Sequence, residues 1–191
     1  MGTLRDATPA KLFMAVMHRP GFDPAPLLAQ LAGRYGPIGG RCAPYLFGSK
    51  YYEEEMGPGL VKFFVSFELL FSQERLGGVK RETNVLEEAR TDAQGRVCNL
   101  DPGIITHYSV ILATTKGYAH RIYLGEGIYA EPTLLFRRGA LDALPWSYPD
   151  YQTPVALGFF REARRRLLEQ VAASGAQPGN ETIDHGGAHV P

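Results

Sequence analysis

The sequence predicts an α+β fold, on three observations. Residues 61–69 alternate with the period of a strand: Val61, Phe63, Val65, Phe67 and Leu69 point one way, Lys62, Phe64, Ser66 and Glu68 the other. Two stretches repeat with the period of a helix instead, Leu28–Leu31–Tyr35 and Leu76–Val79–Thr83–Leu86. The region from 96 to 138 then reads as a series of short strands separated by Gly, Pro and Asp.

The elements follow in order. Residues 11–17 (KLFMAVM) form a nearly continuous apolar run, the signature of a buried strand, and His18-Arg19-Pro20-Gly21 breaks it. Asp23 before Pro24 starts a helix that Gly36-Pro37 ends. Residues 36–48 are rich in Gly and Pro and predict a loop with a short strand near 45–47. After the strand at 61–69, a helix is expected over 73–91, weakened in its first turn by Gly77-Gly78. Strands are expected at 96–100, 108–114, 121–124 and 128–136. A proline-rich aromatic segment follows at 144–151, with Trp146 expected to be largely buried because an aromatic of that size is strongly favoured inside. A final helix covers 155–171, with Phe159, Phe160, Ala163, Leu167 and Val171 as its stripe. The order β-α-β-β-α-β matches a ferredoxin-like βαββαβ core, extended by a C-terminal β-hairpin region and a terminal helix. The expected division is one domain over 10–172 and a disordered tail over 173–191.

Composition narrows the function. The 191 residues are 45% hydrophobic and 21% charged, a globular balance. Lys+Arg and Asp+Glu are both 20, so no net field draws the chain to nucleic acid or to an anionic membrane. Cys42 and Cys98 make no CxxC pair and read as free thiols. No apolar run approaches 18 residues and the first eleven lack a secretory apolar core, so the expectation is a cytoplasmic protein with no membrane partner.

Familiar motifs fail on context. Gly125-Glu126-Gly127-Ile128-Tyr129-Ala130 fits a dinucleotide fingerprint, but a strand pattern follows where a helix N-terminus would have to hold the pyrophosphate. There is no phosphate-binding P-loop, no zinc-protease motif and no nucleophile elbow. Arg161, Arg164, Arg165 and Arg166 are interleaved with Glu162 and Glu169 and read as a solvated helix face. The run Glu53-Glu54-Glu55 offers oxygen ligands, but adjacent side chains point apart. No pattern assigns a metal or a cofactor.

One constellation remains. Asn99-Leu100-Asp101-Pro102-Gly103 reads as a turn leaving a strand, and Thr114-Thr115-Lys116-Gly117 ends the next one. In a hairpin from Arg121 to Thr133, a three-residue loop at Gly125-Glu126-Gly127 pairs Leu124 with Ile128, Tyr123 with Tyr129 and Arg121 with Glu131. Alternation then puts Arg121, Tyr123, Tyr129, Glu131 and Thr133 on a polar face and Ile122, Leu124, Ile128 and Ala130 in the core. The expected site binds a small anionic ligand, phosphorylated or nucleotide-like. Asp101, Glu131 and His120 are its candidate acids and bases, and Asn99, Thr115, Lys116, Arg121, Tyr123 and Tyr129 its ligand-binding groups. Two other readings stand beside it: a protein-interaction module anchored by the 146–151 aromatics, and an RNA-binding domain stacking bases on Tyr123 and Tyr129, which the neutral charge disfavours.

Strings across the chain carry a family resemblance. Tyr51-Tyr52-Glu53-Glu54-Glu55-Met56-Gly57, Asn99 through Gly103, Ala113-Thr114-Thr115-Lys116, His120-Arg121-Ile122-Tyr123-Leu124, Gly127 through Glu131 and Pro145 through Tyr151 resemble a prokaryotic family catalogued as domain of unknown function 4416. The resemblance runs from about residue 11 to 171. Lys50 stands where the family pattern has an acidic residue, which weighs against a metal beside Glu53, and Ser147 stands where it has threonine. Some members of the family carry a GTP-binding label, for which this sequence offers no phosphate loop. What the resemblance implies is extent and kinship, and no mechanism.

Overall fold

The computed structural model describes residues 6–174. In chain order its elements are β1 (Ala10–His18), α1 (Ala25–Tyr35), β2 (Ile38–Arg41), β3 (Tyr45–Phe47), α2 (Lys50–Met56), β4 (Leu60–Phe71), α3 (Leu76–Glu88), β5 (Thr91–Asp92), β6 (Gly95–Arg96), β7 (Cys98–Ile105), β8 (Ser109–Thr114), β9 (Ile122–Gly125), β10 (Ile128–Arg137), β11 (Ala140–Ala143) and α4 (Pro154–Ala173). A single 3₁₀ turn, Gln73–Arg75, leads into α3, and another, Pro149–Gln152, into α4. The expected tail at 173–191 lies, apart from Ala173 and Ser174 at the end of α4, outside the described residues. Among those residues no helix is long and apolar enough to cross a membrane.

Nine strands make one antiparallel sheet in the order β11-β10-β8-β7-β1-β4-β2, with β3 also on β4 and β9 on β10. Helices cover both faces. Leu12, Met14 and Val16 of β1 pack with Phe63, Val65 and Phe67 of β4 under α1 and α3. Phe13, Ala15 and Phe64 pack on the other face against Phe159, Phe160 and Ala163 of α4. This explains why β1 is buried along its whole length and reads as an unbroken apolar run. Each of its large side chains contributes about 1.5–3 kcal/mol by burial.

Several expectations are corrected. Asn99 through Gly103 is no turn: it lies inside β7, paired residue for residue with β1 from Met17 to Phe13. A Cβ at Gly103 would overlap the Phe13 ring and the Ile111 carbonyl, so glycine is there for close packing rather than for turning. The acidic run sits on α2, a helix that no periodicity in the sequence predicts. β2 forms in the Gly-rich stretch, and β11 was missed. Ile122 and Leu124 are exposed, because β9 lies at the sheet's margin, where it pairs with β10 alone among the described strands. Trp146 is 36% exposed, whereas Tyr151, from the same segment, is 1% exposed.

The hairpin loop also differs from expectation. Glu126 and Gly127, with φ of 52° and 79°, form a two-residue turn closing Gly125 on Ile128. A bulge then absorbs Leu124, and the strands meet at Tyr123–Tyr129 as expected.

Candidate functional site

Successive residues of a strand present their backbone groups to alternate edges, so Leu100, Pro102 and Ile104 all face the β8 side of β7. The ladder between these strands joins Ile105 to Val110, Ile104 to Ile111 and Gly103 to Leu112, and ends there. Beyond it β8 leaves β7. Pro102 has no N–H to orphan at the opening. Leu100 does, and α3 satisfies it: its N–H donates to Glu87 Oε1 (2.8 Å), and its carbonyl accepts from Lys80 Nζ (2.8 Å). Lys80 and Glu87 lie two turns apart on one helix face and 3.7 Å from one another, so an ion pair stands in for the missing strand.

The gap opens into a cleft of about 360 Å³. Asn99 and Asp101 of β7 form one wall and residues 112–116 the other. α3 supplies the back, and the front comes from α2, Lys62 and the 148–151 turn. Arg19 fastens part of this frame, donating to the Met56 carbonyl (3.0 Å) at the end of α2 and to both oxygens of Asp92 (3.0 Å) in the β5–β6 hairpin.

Charges inside the cleft are paired with care. Lys80 reaches Asp101 (3.2 Å), and Lys62 reaches Asp150 (2.6 Å). Arg96 binds Glu87 (2.5 Å), Glu55 (2.8 Å) and the Asn99 amide oxygen (2.9 Å), and Asn99 in turn donates to Asp101 (2.6 Å). Burial by itself would raise the Asp101 carboxyl, but Lys80 and Lys62, with hydrogen bonds from Lys80 and Asn99, hold it below its ordinary value. Glu87 goes the other way: burial pushes it up despite Lys80 and Arg96. The cleft's exposed cation is Lys116. Its Nζ contacts the Tyr51 hydroxyl (3.1 Å) and ring (4.2 Å), and it has no carboxylate partner among the described residues.

Three phenols complete the lining. Burial first, and then neighbouring carboxylates, push Tyr52, Tyr148 and Tyr151 above the ordinary phenol value, so each stays a hydrogen-bond donor at neutral pH. Tyr151 is the telling one. It is fully buried against Phe64 and Phe160, yet its hydroxyl has no hydrogen-bond partner among the described residues. A buried unbonded hydroxyl costs about 1–3 kcal/mol.

The second group of expected residues lies beside the cleft. Glu131, 1% exposed, receives Arg121 Nε (2.6 Å) and contacts His120 Nε2 (2.7 Å) on the same oxygen, while its other oxygen has no partner among the described residues. His120 is stacked between Trp146 (4.7 Å) and Tyr118 (6.1 Å). Two contacts tie this cluster to the cleft: Arg121 donates to the Lys116 carbonyl (2.8 Å) and to the Tyr148 hydroxyl (3.1 Å). At Arg121 and Glu131 the expected polar face is thus covered, with Tyr148 of the 144–151 segment on Arg121, while Tyr123 on the same face is exposed.

Of the residues expected at the site, Asn99, Asp101, Thr115 and Lys116 line the cleft, and Arg121, Glu131 and His120 form the adjoining cluster. Tyr123 and Tyr129 do neither: their rings pack on each other at 5.1 Å, and the Tyr123 hydroxyl accepts from the Gly127 N–H. Lys62, Lys80, Glu87, Arg96, Asp150 and Tyr151 were missed. For Lys80 and Glu87 a signal existed, because they fall on the same helical stripe as Leu76, Val79, Thr83 and Leu86. Among the described residues no group of three or more His, Cys, Asp or Glu side chains is placed to hold a metal ion.

No curated protein and no solved structure matches the chain. The model of the family described as "Domain of unknown function (DUF4416)" matches residues 8–167, most of the chain and every element named above except the last turns of α4, and the protein therefore belongs to that family.

Proposed function

We propose that the cleft between β7 and β8 binds a small anionic ligand, phosphorylated or nucleotide-like. The observation that carries this reading is the Tyr151 hydroxyl, a buried donor without a partner in the cleft lining. A native fold seldom retains such a group unless something else uses it. Lys116 supplies a cation at the rim with no carboxylate partner among the described residues, and Tyr51 sets an aromatic surface beside it. Asn99 and Thr115 offer neutral polar contacts. Asp101, held ionised by Lys80, serves as a fixed charge. Glu131, Arg121 and His120 act from outside the cleft, holding the Lys116 backbone through Arg121.

The platform under this site we infer to be a ferredoxin-like core. Strands β7, β1, β4 and β2 run side by side, all antiparallel, and both α1 and α3 pack on one face of them; these features support that topology. The free thiols Cys42 and Cys98 support a reducing, cytoplasmic setting.

The interaction-module reading draws support from the exposed stack of Tyr118, His120 and Trp146. The RNA-binding reading has less, since Tyr123 and Tyr129 are occupied with each other. Thermal-shift titration with nucleotides, sugar phosphates and inorganic phosphate tests the first reading. A ligand at 100 times its Kd adds about 2.7 kcal/mol of stability, a rise of roughly 5–10 °C in Tm for a domain of this size. Lys116→Ala is expected to remove that rise. If none of these compounds stabilises the wild-type protein, the reading fails.

A further inference from the structure

A second cationic site lies away from the cleft, in the groove between the β10–β11 turn and α4. Phe136, Arg138, Gly139 and Ala140 form one side, and Arg161, Arg164, Arg165 and Leu168 the other. The four α4 residues follow one another at helical spacing and share a face.

The arginines of this face are not alike. Arg165 is neutralised by Glu162 (2.7 Å) and Glu169 (2.5 Å), and Arg166, outside the groove, also draws on Glu162 (2.8 Å). This much agrees with a solvated helix face. Arg161 has no ion pair or hydrogen bond among the described residues, and neither has Arg138. Arg164 has no carboxylate either. Its Nε donates to the His107 carbonyl (2.9 Å) and its guanidinium lies over the Phe136 ring (4.5 Å), so its terminal nitrogens are held in a fixed orientation. Asp142, on β11, is an acidic neighbour in sequence and pairs with none of them. Arg138, Arg161 and Arg164 therefore line one groove, none of them ion-paired with a carboxylate among the described residues, in a protein whose total charge is zero.

The turn supplies an independent observation. Arg138 and Gly139 close β10 on β11 with φ of 48° and 80°. Asn, Asp or Gly is the usual first residue of such a turn, and a long side chain at positive φ is strained. Holding an arginine in that conformation is disfavoured by the backbone, and it adds a third arginine to the lining of the groove.

We propose that this groove binds an anion carrying at least two phosphate groups. Guanidinium forks match phosphate oxygens in bidentate pairs, and three arginines lining one groove from two elements suit a chain of phosphates better than a single carboxylate. Such phosphates can come from a free oligophosphate or from a nucleic-acid backbone.

The test uses the full chain and two probes: inorganic pyrophosphate by calorimetry, and a fluorescent single-stranded oligothymidylate by anisotropy. The variant is the double substitution Arg138→Gly with Arg161→Gln, which relieves the turn and should leave folding intact. Wild type is expected to bind at least one probe, and the variant to bind it at least about tenfold more weakly. The same comparison made in a Lys116→Ala background, which lacks the cleft's exposed cation, should give the same fold-loss, so that pyrophosphate held in the cleft is not counted as groove binding. Loss of pyrophosphate binding identifies a small oligophosphate site, and loss of oligothymidylate binding alone identifies a backbone site. Wild type binding neither probe, or the variant binding as wild type does, overturns the proposal.

Discussion

Arg121 and Glu131 meet at 2.6 Å, with 5% and 1% of their side chains exposed, so the ion pair joining the start of the β9–β10 hairpin to its second strand is a buried one. Removing one member of a buried pair strands the other and costs about 3–5 kcal/mol, against 1 kcal/mol or less for an exposed pair. Glu131→Gln is therefore expected to destabilise the protein by about 3 kcal/mol in urea unfolding. A loss under about 1 kcal/mol would mean that the pair is solvated and does not hold the Lys116 backbone in place.

Where β8 leaves β7, the Leu100 amide has only the Glu87 carboxylate to protect it. Glu87→Ala should speed native-state hydrogen exchange at Leu100 well above that at Ile104, which keeps its partner Ile111. Exchange that stays equally slow at both amides in the variant would show that some other group covers this edge.

The Asp101 carboxyl titrates below its ordinary value of 3.8 in the folded protein. A group with a depressed folded value adds stability that is present above its unfolded value and lost as pH falls through the folded one. Asp101→Asn should thus cost about 2 kcal/mol at neutral pH, and the gap to wild type should close as pH drops below that ordinary value. Glu87 has the opposite sign, since burial raises it, and cannot produce this behaviour. A gap that stays the same at every acid pH at which the protein remains folded would assign the loss to packing instead of charge.

Both thiols are held protonated. Burial, with Glu87 nearby, pushes Cys98 up to about 11, and burial also raises Cys42. Native protein at pH 8 should react slowly with a disulfide reagent, and denaturant should release both thiols. Rapid reaction of the native protein would contradict this environment.

The sequence made strong periods legible and weak ones misleading. β4 and α4 were readable because Phe63–Val65–Phe67 and Phe159–Phe160–Ala163 keep a strict period. The meeting of Arg121 with Glu131 was readable from alternation about Tyr123 and Tyr129, even though the turn is one residue shorter than expected and a bulge restores the register. The cleft was not readable. Pro102-Gly103 has the composition of a turn, yet a proline also suits a strand edge that has lost its neighbour, and only the three-dimensional course of β8 distinguishes the two. Tyr151 and Trp146 were indistinguishable by composition. Their burial is decided by which of them α4 and Phe64 cover.

The most direct measurement is the stability and ligand affinity of Tyr151→Phe. Its hydroxyl is buried and unbonded, so its removal should leave the free protein as stable as wild type or slightly more stable. The same change should weaken binding of the best compound from the thermal-shift screen by at least about tenfold, the worth of one hydrogen bond to a charged group. A variant that loses stability while free, or that binds that compound as wild type does, would contradict a cleft built around this donor.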